Sequence, residues 1–276
     1  MINYSFPVII TLISLVATPG MAQNNQPLKQ GRIEYEQIIK GGKRTVSING
    51  QPQTFDMPDR TLKWELLFTA DQTLRRAMET EDRPEAEMAA PAAGATGANV
   101  RFVSASFGES ITWHNFTRGI KVEQLEEAGK KYLVTDSIRK NTWKLTGETK
   151  TILGYTCQKA ISQTQVKSFN MQMQDGEFKR TEKLDTVNVT AWFAPAIPVP
   201  GGPETQGELP GMVLEIESRN GMSTIRAVKI SPEVRTADIK EPKTGKKVTK
   251  EEYTKEVESG MKEMMNRMRS TRGASF

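Results

Sequence analysis

A two-residue rhythm constrains this chain more than any other feature. Leu62, Trp64, Leu66 and Phe68 fall on alternate positions. In an extended chain that spacing puts four apolar side chains on one face. Shorter strand-like runs recur at 31–40, 72–78, 100–106, 111–117, 121–125, 131–136, 142–144, 157–165, 169–174 and 178–183. Gly108, Gly119, Gly129, Asn141, Gly154 and Asp175-Gly176 punctuate them. The polar stretch 40–60 reads as a loop. No amphipathic helical period separates the runs, as parallel βαβ units require. The pattern therefore predicts an all-β domain: an antiparallel meander forming a curved sheet or open half-barrel.

Unusual residues concentrate in 188–217. Strand 187–193 puts Val187, Val189, Ala191 and Phe193 on one face, and Asn188, Thr190 and Trp192 on the other. A loop with Pro198, Pro200, Pro203 and Pro210, and with Gly201, Gly202, Gly207 and Gly211, follows. Proline fixes φ and glycine permits tight turns, so this loop is stiff where it must bend. Met212, Leu214 and Ile216 then share a face, and Asn220-Gly221 signals a type I′ turn into 222–230.

The flanks differ in chemistry. Residues 1–22 read as a signal peptide, with an apolar run over 6–17 and cleavage expected before Gln23. That run is too short to span a bilayer. No cysteine stands directly after the cleavage site, so the expectation is a periplasmic or secreted protein and not a lipoprotein. Residues 23–30 read as a disordered lead-in. A single β-rich domain is expected over 31–235, with a flexible insertion at about 81–98 poor in bulky side chains. A basic linker follows at 236–248. Thr249-Lys250-Glu251-Glu252 fits a capping box, opening an amphipathic helix over 249–270.

Composition narrows the chemistry. The 276 residues carry a formal charge of +5, with acidic and basic residues interspersed. That is a mixed solvated surface and not a nucleic-acid footprint. Cys157 and His114 are single residues of their type, so an intramolecular disulfide and a Cys/His zinc cluster are excluded. No cofactor is expected. Cys157 reads as a buried, inert thiol. Trp64, Trp113 and Trp143 read as core residues, and His114 as a surface or hydrogen-bonded one. Trp192 either caps the core edge or lines a ligand cavity.

Three linked motifs carry a family resemblance. Residues 151–160 read TILGYTCQKA, and Ala191-Trp192-Phe193 precedes Ile197-Pro198 and Gly202-Pro203. Residues 208–216 then read ELPGMVLEI. Together they resemble the GLPGLI proteins, an exported family of the Bacteroidetes lineage without established activity. Glu208 stands where the signature begins with glycine. The resemblance implies export and a β-rich fold, and supplies no mechanism.

The leading expectation is an exported, non-catalytic β-protein that binds an apolar small molecule or a cell-envelope protein. Trp192, Pro198, Pro203, Leu209, Pro210 and Gly211 are its candidate contacts. A hydrolase is the alternative, with Glu81, Asp82, Asp136, Asp175, Glu215 and Glu217 available as carboxylates. A further alternative lies in the helix. Met261, Met264, Met265 and Met268 put thioethers on neighbouring turns, which suits Cu(I), and the same stripe suits a membrane surface.

Overall fold

A computed structural model describes residues 27–48, 51–78, 110–127, 129–138, 141–174, 177–205 and 207–273. The side chains of 44–48, 166–182, 261 and 264–273 lie outside the description. So do the signal-peptide and insertion segments, the run at 100–106, and the Asp175-Gly176 turn.

The described chain forms one open, mostly antiparallel sheet of twelve strands and a C-terminal helix, the class that the alternation predicts. Two meanders make it. The first holds β4 (Arg60–Phe68), β5 (Gln72–Ala77), β6 (Ile111–Asn115), β7 (Ile120–Glu127) and β8 (Lys130–Ser137). The second holds β9 (Lys144–Ile152), β10 (Tyr155–Gln174), β11 (Glu177–Ala194), β12 (Met212–Ser218) and β13 (Ser223–Ser231). β1 (Gly31–Ile39) joins them, pairing with β4 on one side and β13 on the other. β10 and β11 stay paired out to Gln174 and Glu177, far beyond the reach of β9 and β12, so their ends form a two-stranded arm.

The alternation sets two faces. Ile33, Tyr35, Leu66, Phe68, Ile216, Ile225, Ala191 and Ala160 build the main core. The loop between β11 and β12 folds onto this same face, adding Ile197, Val199 and Leu209. On the opposite side of the first meander, Leu67, Leu74, Trp113, Val122 and Leu133 form a second core. Each pair of adjacent residues thus serves both faces, as continuous burial of Leu66, Leu67 and Phe68 requires.

Several segments depart from the sequence expectations. The 40–60 stretch is a separate hairpin of β2 (Lys43–Ile48) and β3 (Gln51–Asp56). β3 is exposed along its whole length, so it carries no apolar alternation to read. The turn after β12 spans four residues, with Arg219, Asn220 and Gly221 all at positive φ, and is not a two-residue type I′ turn. The lysine-rich linker is partly built into the fold. Ile239 and Val234 cover the second core, and β14 (Lys246–Thr249) pairs in parallel with β8. Isolated apolar anchors among lysines leave no period to detect.

The capping box forms. The Glu252 N–H donates to Thr249 Oγ1 at 3.1 Å, and the Thr249 N–H donates to Glu252 Oε2 at 2.8 Å. Helix α1 (Lys250–Gly273) begins there. Its first turn docks through Tyr253, whose ring meets Tyr132 edge-on with centroids 5.4 Å apart. Among the described residues no helix is long and apolar enough to cross a membrane.

Candidate functional site

The predicted contact residues do not converge. Leu209 is 4% exposed in the main core. Gly211 is buried where a Cβ would stand 2.4 Å from the Ala194 carbonyl oxygen. Pro203 is buried, whereas Pro198 and Pro210 are exposed. Trp192 is half-buried at the edge of the main core, its backbone position alternating with those of Ala191 and Phe193. The loop is therefore a plug on the main core, and Trp192 is not its neighbour across a cavity.

The surroundings of Trp192 are charged. Cross-strand register places Lys159, Trp192, Glu215, Arg226, Glu36 and Lys63 in one row over six strands. Glu215 is 6% exposed and takes Lys150 Nζ at 2.5 Å and Arg226 Nε at 2.6 Å. Lys150 Nζ also sits 4.3 Å from the Trp192 ring centroid, a cation–π contact. Lys159, Trp192 and Glu215 each come from a different one of the three sequence motifs. The motifs thus meet on adjacent strands, as an ion-paired surface row. Glu215 is committed to two cations there and is not a free general base.

Glu208, the departure from the family signature, has a local partner set. The Trp143 indole N–H donates to its carboxylate, and Asn141 Nδ2 lies 3.3 Å from Oε1. Trp143 is half-buried with this polar tip satisfied, as an amphipathic ring prefers. Trp64 is half-buried too, and Trp113 is the one of the three expected core tryptophans that is fully inside.

Cys157 is fully buried, and burial pushes its thiol up to about 11. His114 is also inside, 4% exposed, and not at the surface. Its ring Nδ1 is 3.4 Å from Thr73 Oγ1. Burial, reinforced by Lys121 and Arg75, pulls its pKa down to about 3, so the ring is neutral. The described residues contain no group of three or more His, Cys, Asp or Glu side chains that could hold a metal. The Met261, Met264, Met265 and Met268 positions are helical, but their side chains lie outside the description. The same holds for Glu81, Asp82 and Asp175 among the candidate carboxylates.

A concave site lies elsewhere, at the end of the sheet. Leu28, Leu153, Tyr155, Val228, Lys229, Ile230 and Pro232 line a hollow of about 630 Å³. Leu28 is anchored there by its N–H to the Ala196 carbonyl at 3.1 Å, where the loop begins. Two backbone irregularities supply its apolar walls. Ile152 pairs with Tyr155, so Leu153-Gly154 is a two-residue turn, with φ of 48° and 83°. Both positions of such a turn need positive φ. Glycine takes it freely, and leucine does not. On β13 the register jumps between Lys229 opposite Glu34 and Ala227 opposite Tyr35. Val228 is the extra residue, and a bulge re-aims its side chain. Leu153 and Val228 remain 46% and 41% exposed. Sequence reasoning missed this hollow. The legible signal was a leucine placed beside Gly154 where a turn demands Asn or Gly.

Comparison with known proteins gives partial likeness. Residues 143–215 match a family described as a protein of unknown function (Porph_ging). That span takes in the three motifs except for Ile216. Residues 106–174 match a family described as the N-glycanase peptide, N-terminal domain. Two crystal forms of PNGF-II are similar at 16% identity. The P21 form has a TM-score of 0.47 with 82% of this chain and 32% of that chain covered. The C2 form has a TM-score of 0.44, with 80% and 32% covered. The chain thus spans about a third of the length of these structures. No curated protein matches it.

Proposed function

We propose that this is an exported, β-rich binding module that takes an apolar group of a small cell-envelope molecule into the hollow beside Leu153. One observation carries the reading. A left-handed leucine and a β-bulged valine, from two different hairpins, present exposed apolar side chains to the same concavity. Unfavourable backbone conformations persist where surrounding structure over-determines them, and they cluster at ligand clamps. Lys229 lies at the rim, ion-paired with Glu34 at 3.4 Å, so an anionic end of a ligand would have to compete with that carboxylate.

The test is titration with a neutral apolar fluorophore, N-phenyl-1-naphthylamine, followed by displacement with a fatty acid. Saturable binding that weakens several-fold in Val228→Thr is expected. Binding unchanged by Val228→Thr would remove the hollow as the site.

A hydrolase is the second reading, favoured by the match of residues 106–174 to the N-terminal domain of an N-glycanase peptide. On that reading the purified chain releases glycan from a denatured glycoprotein. No release under conditions where a control glycanase acts would dismiss it for this chain alone.

A further inference from the structure

Beneath the tip of the Pro/Gly loop lies a cluster that the hollow does not use. Arg75 on β5 stacks over Trp64 on β4, its Cζ 4.4 Å from the ring centroid. Its Nη1 donates to the Pro203 carbonyl at 2.9 Å, and its Nη2 to Thr112 Oγ1 at 3.2 Å. It forms no ion pair among the described residues. A guanidinium has five N–H donors, and these two bonds use two of them. Burial lowers its pKa, opposed by Glu204 and Glu123.

Two further donors nearby are orphaned. The Trp64 indole nitrogen and Thr205 Oγ1 are sealed from solvent and lack a hydrogen-bond partner among the described residues. Thr205 is 4% exposed. It sits on the loop two residues from Pro203, the residue that Arg75 holds. A buried donor left unmade costs more than a typical hydrogen bond returns. Arg75 itself is half-buried, so its unused donors can reach a ligand. Nature retains such a set where something with the opposite chemistry arrives. The natural counterpart of an arginine fork, an indole N–H and a hydroxyl is an anion with several acceptor oxygens.

We propose that Arg75, Trp64 and Thr205 form a binding site for a small oxyanion, a carboxylate or sulfate group, entered when the 203–205 loop tip lifts from the sheet. Two carboxylates face Arg75. Glu123 on β7 is already paired with Lys121 at 2.9 Å. Glu204 on the loop is not in any ion pair with Arg75, but it competes electrostatically for the same charge. Glu204 is exposed at the loop tip, yet partial desolvation of its carboxyl pushes it above the usual range, with Arg75 and Arg219 opposing. Lifting the tip carries Glu204 away and leaves Arg75 to the ligand. Gly201 and Gly202 sit at the base of this tip, packed against Met212, Thr73 and Val213. His114, neutral beside Thr73, adds no competing charge.

The full chain is titrated with sodium sulfate and with sodium acetate, at ionic strength held constant with chloride. Tryptophan fluorescence and the thermal midpoint are the readouts. A saturable response is expected for at least one of the two, and their ratio separates a tetrahedral from a planar oxyanion. Glu204→Gln should tighten binding several-fold by removing the internal competitor. Trp64→Phe keeps the ring, removes the N–H and should weaken binding at least five-fold. Arg75→Gln should abolish it, and the other two variants decide the matter if that one does not fold. A response no larger than the chloride control overturns the proposal. So do unchanged affinities in both Glu204→Gln and Trp64→Phe.

Discussion

Replacing Leu153 by asparagine separates a binding role from a structural one. Leu153 occupies a left-handed conformation at φ 48°, which costs a branched L-residue about 1–2 kcal/mol. Asparagine takes that conformation more readily, so most of this cost is recovered. Against it stands lost burial. Leu153 is 46% exposed, so about half of the ~1.5–3 kcal/mol for burying a leucine is realised in the free protein, or about 1 kcal/mol. The two nearly cancel. Stability of Leu153→Asn should stay within about 1 kcal/mol of the parent in urea unfolding. The exposed half of the side chain is worth its share only when the hollow is filled. That is about 1 kcal/mol, or roughly a five-fold loss of fluorophore affinity. Unchanged stability with weakened binding is the expected result. If stability falls by more than about 2 kcal/mol while affinity holds, Leu153 is a packing residue and the reasoning fails.

Two other perturbations test the framework that positions these sites. Gly211→Ala drives a Cβ into the Ala194 carbonyl, 2.4 Å from its oxygen, and backbone on both sides cannot yield cheaply. A loss of about 1–3 kcal/mol is expected, whereas Gly211→Ala at parent-like stability would mean that the loop is not held against β11. His114 gives a pH signature. Its folded pKa, about 3, lies below the unfolded value near 6.5. The unfolded chain therefore binds the extra proton, and stability falls as pH drops from about 6.5 towards 3, by at most about 1.4 kcal/mol per pH unit. Above pH 6.5 this group contributes no slope. His114→Gln should flatten that part of the acid limb, and parallel stability curves for the two proteins would refute the assignment.

The three sequence motifs have a physical counterpart in the fold. They lie on or beside β10, β11 and β12, which are neighbours in the sheet. The first supplies the strained turn, the second the entry to the plug, and the third Gly211, which packs against the Ala194 carbonyl at the end of β11. What looks like a binding signature in 188–217 is chiefly a packing signature. Leu209 and Pro203 are inside because the loop must seal the main core. Pro198 and Pro210 are outside because the same loop must turn.

The sequence by itself determined the class of fold, the strand alternation, the burial of Cys157 and the start of the helix. These depend on local periods, on composition and on a four-residue capping pattern, all of which act over short distances along the chain. It did not determine which faces are covered. β3 is exposed throughout and β9 is exposed and mostly polar until Ile152, and strands without an apolar face leave no rhythm. Ile239 and Val248 act singly, so their burial depends on partners more than a hundred residues away. Only tertiary structure put the Pro/Gly loop over the core and brought Lys150, Lys159 and Glu215 around Trp192. Only tertiary structure joined Leu153 to Val228, and Arg75 to Trp64 and Pro203. Register across β4, β5 and β13 made those neighbours, and register is fixed by the whole sheet rather than by any one strand.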